Sequence, residues 1–194
     1  MSVGRLLVSA AIFCILASCR ERAPVAATAP TPEMLRAVVP NLRAVLSHYA
    51  PPALLLDSTR AIDSVFVGLI QRAETAHAEA HDVGAAALAA PARTAVTALI
   101  ANRAQRLSLP RHVFDSLDVR LVAVPPPFDT YRDWEHPRIS FGVSAVGYDP
   151  RARFAALYWV FYCGNNCAGG TLYVFERQKQ RGWALVWSRA LWQE

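Results

Sequence analysis

The run of residues 154–163, FAALYWVFYC, is apolar throughout and constrains the fold of this chain more than any other segment. Its aromatic and β-branched side chains favour an extended strand. Because side chains alternate between the two faces of a sheet, an unbroken apolar run places apolar groups on both faces. We therefore expect this strand in the middle of a sheet that is covered on both sides.

The distribution of aromatic residues divides the chain into two parts. None lies between Phe66 and Phe114, where alanine is abundant, and all five tryptophans come from Trp134 onward. The N-terminal part carries apolar residues at helical spacing, which predicts helices there. Short apolar runs in the same part of the chain and just after it could be strands. The predicted helices are at 32–49, 62–80 and 91–107, and the short runs are at 53–57 and 119–124.

Turn residues separate four apolar, β-prone runs in the C-terminal part, with Pro150, the Gly-Asn-Asn of 164–166 and Gly182 between them. We predict an α+β fold, a helical N-terminal half packed on a C-terminal antiparallel β-meander of about 4–5 strands. The helical part is 32–116 and the β part 117–194, together one domain. The predicted meander strands are 139–148, 154–163, 171–177 and 183–192.

The first residues have the pattern of an export signal. Arg5 precedes the uncharged run 6–16, and small residues precede Cys19. The apolar run is shorter than the about 20 residues that span a bilayer. The LASC sequence at 16–19 resembles the lipobox of bacterial lipoproteins. That resemblance implies that 1–18 is a signal peptide and that Cys19 is lipidated, which anchors the protein in a membrane.

Residues 19–31 lack an apolar period and are predicted to form a flexible tether. Arg20 stands where the inner-membrane lipoproteins of enteric-type bacteria carry Asp. We therefore expect an exported protein, anchored to the bacterial membrane, with the periplasmic side of the outer membrane favoured.

The four cysteines suit an oxidising compartment. Cys14 lies in the signal and Cys19 would carry lipid, which leaves Cys163 and Cys167. In an extended strand these two would lie about 13 Å apart, whereas a disulfide needs Cα atoms within about 7 Å. The Gly-Asn-Asn between them permits the chain to turn back, so we predict a disulfide-closed hairpin. A redox or metal role is the alternative, although the spacing fits neither thioredoxin-type nor four-ligand zinc sites.

The net charge is +5, and every basic residue except Lys179 is arginine. Arginine suits carboxylate and phosphate recognition, but here the arginines are scattered. We interpret them mainly as compositional bias, with an anionic partner as the alternative. An exported protein has little access to nucleic acid, so we predict no nucleic-acid partner.

Two patterns approach known motifs without matching them. His77 and His81 would share a helix face, but Glu79 falls on the opposite face, unlike the zinc-protease pattern. The GVSAVG sequence at 142–147 places its second glycine one residue too late for a nucleophile elbow. The sequence therefore predicts no catalytic residues, no metal ligands and no cofactor.

The loop at 128–138 mixes aromatic and polar residues, and such loops often carry function. We select Tyr131, Trp134 and His136 from this loop as candidate binding residues, together with Trp159 from the aromatic sheet. For the tryptophans, packing in the core or at a sheet edge is the default interpretation, and a ligand-stacking surface is the alternative.

Aromatic, glycine and cysteine residues recur along the last third of the chain, at Trp134, His136, Gly142, Cys163, Cys167, Gly169, Gly182 and Trp192. This series resembles a module of exported bacterial proteins that has no known activity. We therefore hypothesise a lipid-anchored cell-envelope protein that is a non-enzymatic binding or interaction module for an envelope protein or ligand. The alternative is an envelope hydrolase with a site near 128–138.

Overall fold

The computed structural model describes residues 26–38, 53–73, 84, 87–110, 119–123, 139–163, 167–180 and 182–193. The helices in these ranges are α1 at 32–38, α2 at Ser64–Ala73 and α3 at Ala90–Ala101. The strands are β1 (Ala53–Leu56), β2 (Val119–Val122), β3 (Ser140–Val143), β4 (Gly147–Tyr148), β5 (Phe154–Tyr162), β6 (Ala168–Gln178) and β7 (Gly182–Gln193). None of the described helices combines the length and apolar character needed to cross a membrane.

All seven strands belong to one mixed sheet with the order β2-β1-β3-β5-β6-β7, and β4 pairs with β5. β1 pairs in parallel with both β2 and β3, whereas the pairs β3–β5, β5–β6 and β6–β7 are antiparallel. The predicted fold class, a helical N-terminal half on an antiparallel meander, is therefore wrong. The reason is β1: its Leu54 and Leu55 are both buried, so this strand belongs inside the sheet rather than in a helical layer.

The C-terminal strands lie close to their predicted positions, and β5, β6 and β7 form an antiparallel series. The predicted strand at 139–148 is divided into β3 and β4. Between them the Ser144 amide donates to the Tyr158 carbonyl at 2.9 Å, while the Val146 amide turns away and donates to the Thr28 carbonyl at 2.9 Å. The chain therefore leaves β5 at 145–146 and rejoins it at Gly147.

Both faces of the sheet are covered, which confirms the prediction for residues 154–163. On one face, which we call the α1 face, Leu157 and Trp159 of β5 pack with Met34 and Leu35 of α1. The opposite, α2–α3 face carries the other side chains of β5 under the two longer helices. Its buried members include Ile70, Ala95, Leu99, Ala156, Tyr158, Val160, Leu172, Val174 and Trp187.

Small residues allow α3 to lie directly against β4. A Cβ atom at Gly147 would collide with the backbone of Leu99 and Ala95. On the helix side, Ala92 and Ala95 are buried and add little bulk. The small side chains of these two alanines are thus explained by a close contact between helix and sheet.

Candidate functional site

The candidate site is a cleft of about 260 Å³ on the α2–α3 face, next to the carboxyl end of β3. Since β1 and β3 are parallel, the carboxyl ends of both strands point to the same edge, which is where open α/β sheets commonly bind ligands. The backbone of 142–144 forms part of its wall. The side chains that matter most are those of Arg60, Phe66, Arg106, Tyr158, Val160 and Tyr162.

The segment that follows β1 brings Arg60 to the cleft. Thr59 fixes this segment, because its amide donates to the Leu107 carbonyl at 2.7 Å and its hydroxyl donates to the Gln105 carbonyl at 3.0 Å. The Thr59 hydroxyl also accepts from the Leu107 amide at 2.8 Å. The Arg60 amide then donates to the Val143 carbonyl at 2.6 Å. These bonds hold two loops and β3 together, so the position of Arg60 is set by the backbone.

Gly142 leaves the space into which the Arg60 side chain folds. A Cβ atom there would lie 3.3 Å from Arg60 Cδ and 3.3 Å from Val160 Cγ1, closer than most packed carbon atoms. The Arg60 guanidinium lies over the Tyr162 ring, with Cζ 5.1 Å from the ring centroid. Stacking of this kind holds the planar charge in place and leaves its N–H groups available at the edge.

Arg60 and Arg106 are exposed cations on the cleft, and Asp63 is an exposed carboxylate beside them. The Asp63 carboxylate accepts from the Val65 amide at 3.0 Å and from the Ser64 hydroxyl at 3.2 Å. The bond from the Val65 amide is the main reason that the pKa of Asp63 lies below its ordinary value. Asp63 thus stays ionised at the start of α2, and the two arginines leave the three side chains with a net charge of +1.

The floor of the cleft is aromatic and includes Tyr158, whose hydroxyl is hydrogen-bonded. The Trp192 indole Nε1 donates to the Tyr158 hydroxyl at 2.8 Å, so the proton of that hydroxyl can be donated elsewhere. Burial raises the pKa of Tyr158 to about 12, which keeps the hydroxyl protonated. Phe66 stacks on Trp192 with ring centroids 5.2 Å apart and lies 6.0 Å from Tyr158. The arrangement combines a neutral donor with flat apolar surface.

Ser144 borders the same cleft but is used structurally. Its hydroxyl donates to the Ala145 carbonyl at 2.9 Å and accepts from the Tyr158 amide at 3.0 Å. The residue is 1% exposed. A hydroxyl with both functions engaged by the backbone has no base beside it to remove its proton.

The structure brings Cys163 and Cys167 within disulfide distance, with Cα atoms 5.1 Å apart. The Cys163 amide donates to the Cys167 carbonyl at 2.7 Å, as the predicted hairpin requires. The turn itself, 164–166, lies outside the described residues, and so does Cys19.

Trp159 is 6% exposed and lies on the α1 face, 5.4 Å from the Phe141 ring. It does not contact the cleft, which opens on the other face. Tyr131, Trp134 and His136 lie outside the described residues, as does the whole 128–138 loop. Within the described ranges, no group of three or more His, Cys, Asp or Glu side chains could hold a metal ion.

The sequence did not identify Arg60, Arg106 or Tyr162 as site residues. One signal was present: Arg60 follows closely after the apolar run at 53–57, and polar residues after a parallel strand often face a ligand. This signal can be used only when the parallel pairing of β1 with β3 is known, and the sequence does not show that pairing.

Comparisons of the chain with protein-family models, with curated proteins and with solved structures give no match. The function is therefore argued from the cleft and from the N-terminal sequence.

Proposed function

We propose that this chain is an exported, lipid-anchored cell-envelope protein that binds a small anionic ligand in the Arg60–Tyr162 cleft. The observation that carries the proposal is the stacking of the Arg60 guanidinium on Tyr162 inside a cleft that also holds Arg106. A cation held in this way supplies charge and directed donors without further ordering of its side chain.

The ligand class follows from the cleft chemistry. A guanidinium pairs best with a carboxylate or phosphate, and the neutral Tyr158 hydroxyl adds one more donor. Phe66 and Val160 offer apolar surface beside these polar groups. At about 260 Å³ the cleft suits a molecule smaller than a typical drug. A small carboxylate or phosphate monoester with a planar or apolar portion meets these requirements.

The envelope location rests on the N-terminal sequence. The lipobox-like 16–19 segment and the oxidising compartment that suits Cys163 and Cys167 support the same placement. The identity of the residue at 20 favours the outer membrane. Replacing Cys19→Ser should release the protein from the membrane fraction, and unchanged fractionation would contradict the anchor.

No specific observation in the described residues supports the hydrolase alternative. The hydroxyl of Ser144 is engaged by backbone groups on both sides. The 128–138 loop, near which that alternative placed its site, lies outside the described residues. We therefore advance the binding function alone.

The test is a thermal-shift screen of the purified mature protein against aromatic carboxylates, aliphatic carboxylates and phosphate monoesters. Each anion is paired with its neutral amide or alcohol counterpart at the same concentration. We expect an anion to raise the melting temperature while its neutral counterpart does not, and added salt to reduce the effect. Equal shifts for anion and neutral partner, or none for any anion, would contradict the proposal.

A further inference from the structure

One end of the sheet is rich in exposed cations. The turn between β4 and β5, at 149–153, carries Arg151 and Arg153, while Arg177 lies at the end of β6 and Lys179 directly after it. The two turns are neighbours, because Phe154 pairs with Glu176 and the Arg177 amide donates to the Arg153 carbonyl at 2.8 Å. We call Arg151, Arg153, Arg177 and Lys179 the basic end.

The acidic groups nearby neutralise only part of this charge. Glu176 pairs with Arg153 at 2.7 Å. Asp149 is 3% exposed, and its carboxylate is turned inward to accept from the amides of its own turn, including those of Arg151 and Arg153. In the part of the chain that the structure describes, Arg151, Arg177 and Lys179 form no ion pair. Three cations therefore face outward.

The negative charge of Glu33, the acidic residue of α1 nearest to this end, is also balanced by a nearby arginine. Glu33 lies 3.3 Å from the position of a Cβ on Gly182, at the turn between β6 and β7. Arg36, one turn further along α1, helps to lower the pKa of Glu33, although the larger causes are hydrogen bonds from its own backbone amide and from Thr31. The positive excess of the basic end thus persists when α1 is included.

The N-terminal segment runs toward this same end. Thr28 pairs with Val146 in an antiparallel bridge, and the hydroxyls of Thr28 and Tyr148 are 2.9 Å apart. Because the bridge is antiparallel, Ala26 and Ala27 lie on the side of Thr28 that faces the 149–153 turn. The seven residues 19–25 can reach at most about 25 Å from Ala26, even when fully extended.

We infer that the basic end faces the membrane and contacts anionic lipid headgroups. The inference rests on the proposed lipid anchor at Cys19, whose tether joins the described part of the chain at Ala26, near this end. Clustered Lys and Arg side chains near a bilayer are attracted to its negative surface potential within about one Debye length. The anchor supplies the attachment, and the basic end sets the orientation of the body.

This orientation places the cleft away from the membrane. β5 has 9 residues and begins at the basic end with Phe154, whereas the cleft contacts its later residues Tyr158, Val160 and Tyr162. A strand of this length spans about 26 Å. The cleft therefore lies toward the far end of β5, where a soluble ligand reaches it without crossing the headgroup layer.

The experiment uses the full lipidated chain, reconstituted into vesicles of phosphatidylethanolamine and phosphatidylglycerol. An environment-sensitive fluorophore is attached in separate samples to Gln178→Cys, at the basic end, and to Gln105→Cys, beside the cleft. Both native residues are exposed. Quenchers attached to the lipid headgroups report which probe lies near the surface, and flotation reports whether the protein is anchored.

We expect strong quenching at position 178 and weak quenching at 105. Reversal of three charges, R151E/R177E/K179E, should lower the ratio of docked to undocked protein by about tenfold or more without changing flotation. The control R93E/R103E/R120E makes the same change in net charge on exposed arginines elsewhere and should leave the ratio unchanged.

The possible failures are distinguishable. Loss of flotation in the unmodified chain would contradict the proposed anchor itself. Normal flotation with equal quenching at the two probes, or with equal effects of the two triple variants, would overturn the inference and leave the anchor standing. Replacing phosphatidylglycerol with phosphatidylcholine should reproduce the effect of R151E/R177E/K179E, and no change on that replacement would also overturn the inference.

Discussion

The Cζ atom of Arg60 lies 5.1 Å from the centroid of the Tyr162 ring. This relationship joins the loop after β1 to the last residue of β5, which are far apart in the sequence. The charge of Arg60 also lowers the pKa of Tyr158, although burial outweighs it and the net pKa is raised. Arg60 therefore interacts with both tyrosines of the cleft, and removing its guanidinium tests the cleft directly.

Replacing Arg60→Met should weaken binding of the anion identified in the thermal-shift screen by about tenfold or more, since hydrogen bonds to charged groups contribute about 1.5–3 kcal/mol. Methionine keeps most of the apolar stem and removes the charge and the donors. Arg60→Lys keeps the charge but loses the planar fork and should show an intermediate loss. Isothermal titration calorimetry measures the three affinities.

The matched control for this pair is Arg120→Met. Arg120 is an exposed arginine on β2 that does not line the cleft. The Arg120→Met variant should bind the anion as the unmodified protein does, apart from a small effect of net charge that salt removes. Equal losses in the Arg60→Met and Arg120→Met variants would show that the anion senses net charge rather than the cleft.

Gly147 should be intolerant of any side chain. Gly147→Ala places a Cβ against the backbone of Leu99 and Ala95, and neither strand nor helix can move without opening the core. We expect a loss of about 3 kcal/mol in the free energy of unfolding, at the upper end of overpacking effects. Urea denaturation followed by circular dichroism measures it.

The control for Gly147 is a glycine in a helix. Gly68 lies within α2, and a Cβ there would approach only the flexible end of Arg72, at 3.4 Å. Gly68→Ala should therefore stabilise the protein by about 1 kcal/mol, the usual gain in helix propensity. If both substitutions destabilise by similar amounts, the close approach of α3 to β4 is not the cause.

Local sequence patterns were sufficient to predict part of the fold. The apolar run at 154–163 and the turn residues around it indicated β5 and its antiparallel neighbours, because hairpin pairing involves adjacent segments. The position of β1 was not predictable in this way. Its pairing with β2 and β3 joins segments separated by helices, and four leucine-rich residues do not specify their partners.

The candidate site was less predictable than the fold, for a related reason. Arg60 and Arg106 come from two loops that meet only through the hydrogen bonds of Thr59 with the 105–107 segment. Neither arginine belongs to a recognisable motif. Tyr158 and Tyr162 could be recognised as strand residues that share one face of the sheet. Whether that face carries a cleft depends on where the covering helices lie, which the sequence does not show.

The cysteine pair gives a third prediction. Mass spectrometry of the mature protein without reductant should show the loss of two hydrogen atoms at Cys163 and Cys167. Reduction of the unmodified protein should lower its free energy of unfolding by about 2 kcal/mol, because the closed loop is short. The Cys163→Ala/Cys167→Ala variant should not respond to reductant. Free thiols in the non-reduced protein would contradict the disulfide.

The raised pKa of Tyr158 gives a fourth prediction, on stability at alkaline pH. Burial is the main cause, and it moves the pKa from the ordinary value of 10.0 to about 12. Between these two values the unfolded chain has lost the proton that the folded protein still binds. The free energy of unfolding should therefore be unaffected below pH 10 and should fall as the pH rises toward 12, by at most about 1.4 kcal/mol per pH unit for this group.

Urea denaturation at a series of alkaline pH values measures this slope, and Tyr158→Phe is the variant that isolates it. The variant leaves the Trp192 indole without its acceptor, so its stability at neutral pH should already be lower by about 1 kcal/mol. The informative quantity is therefore the slope rather than the absolute value. Tyr148, whose pKa burial also raises, should leave a residual slope in the variant. If Tyr158→Phe and the unmodified protein lose stability at the same rate above pH 10, the Tyr158 hydroxyl titrates as it does in water. Burial would then not be what sets its pKa.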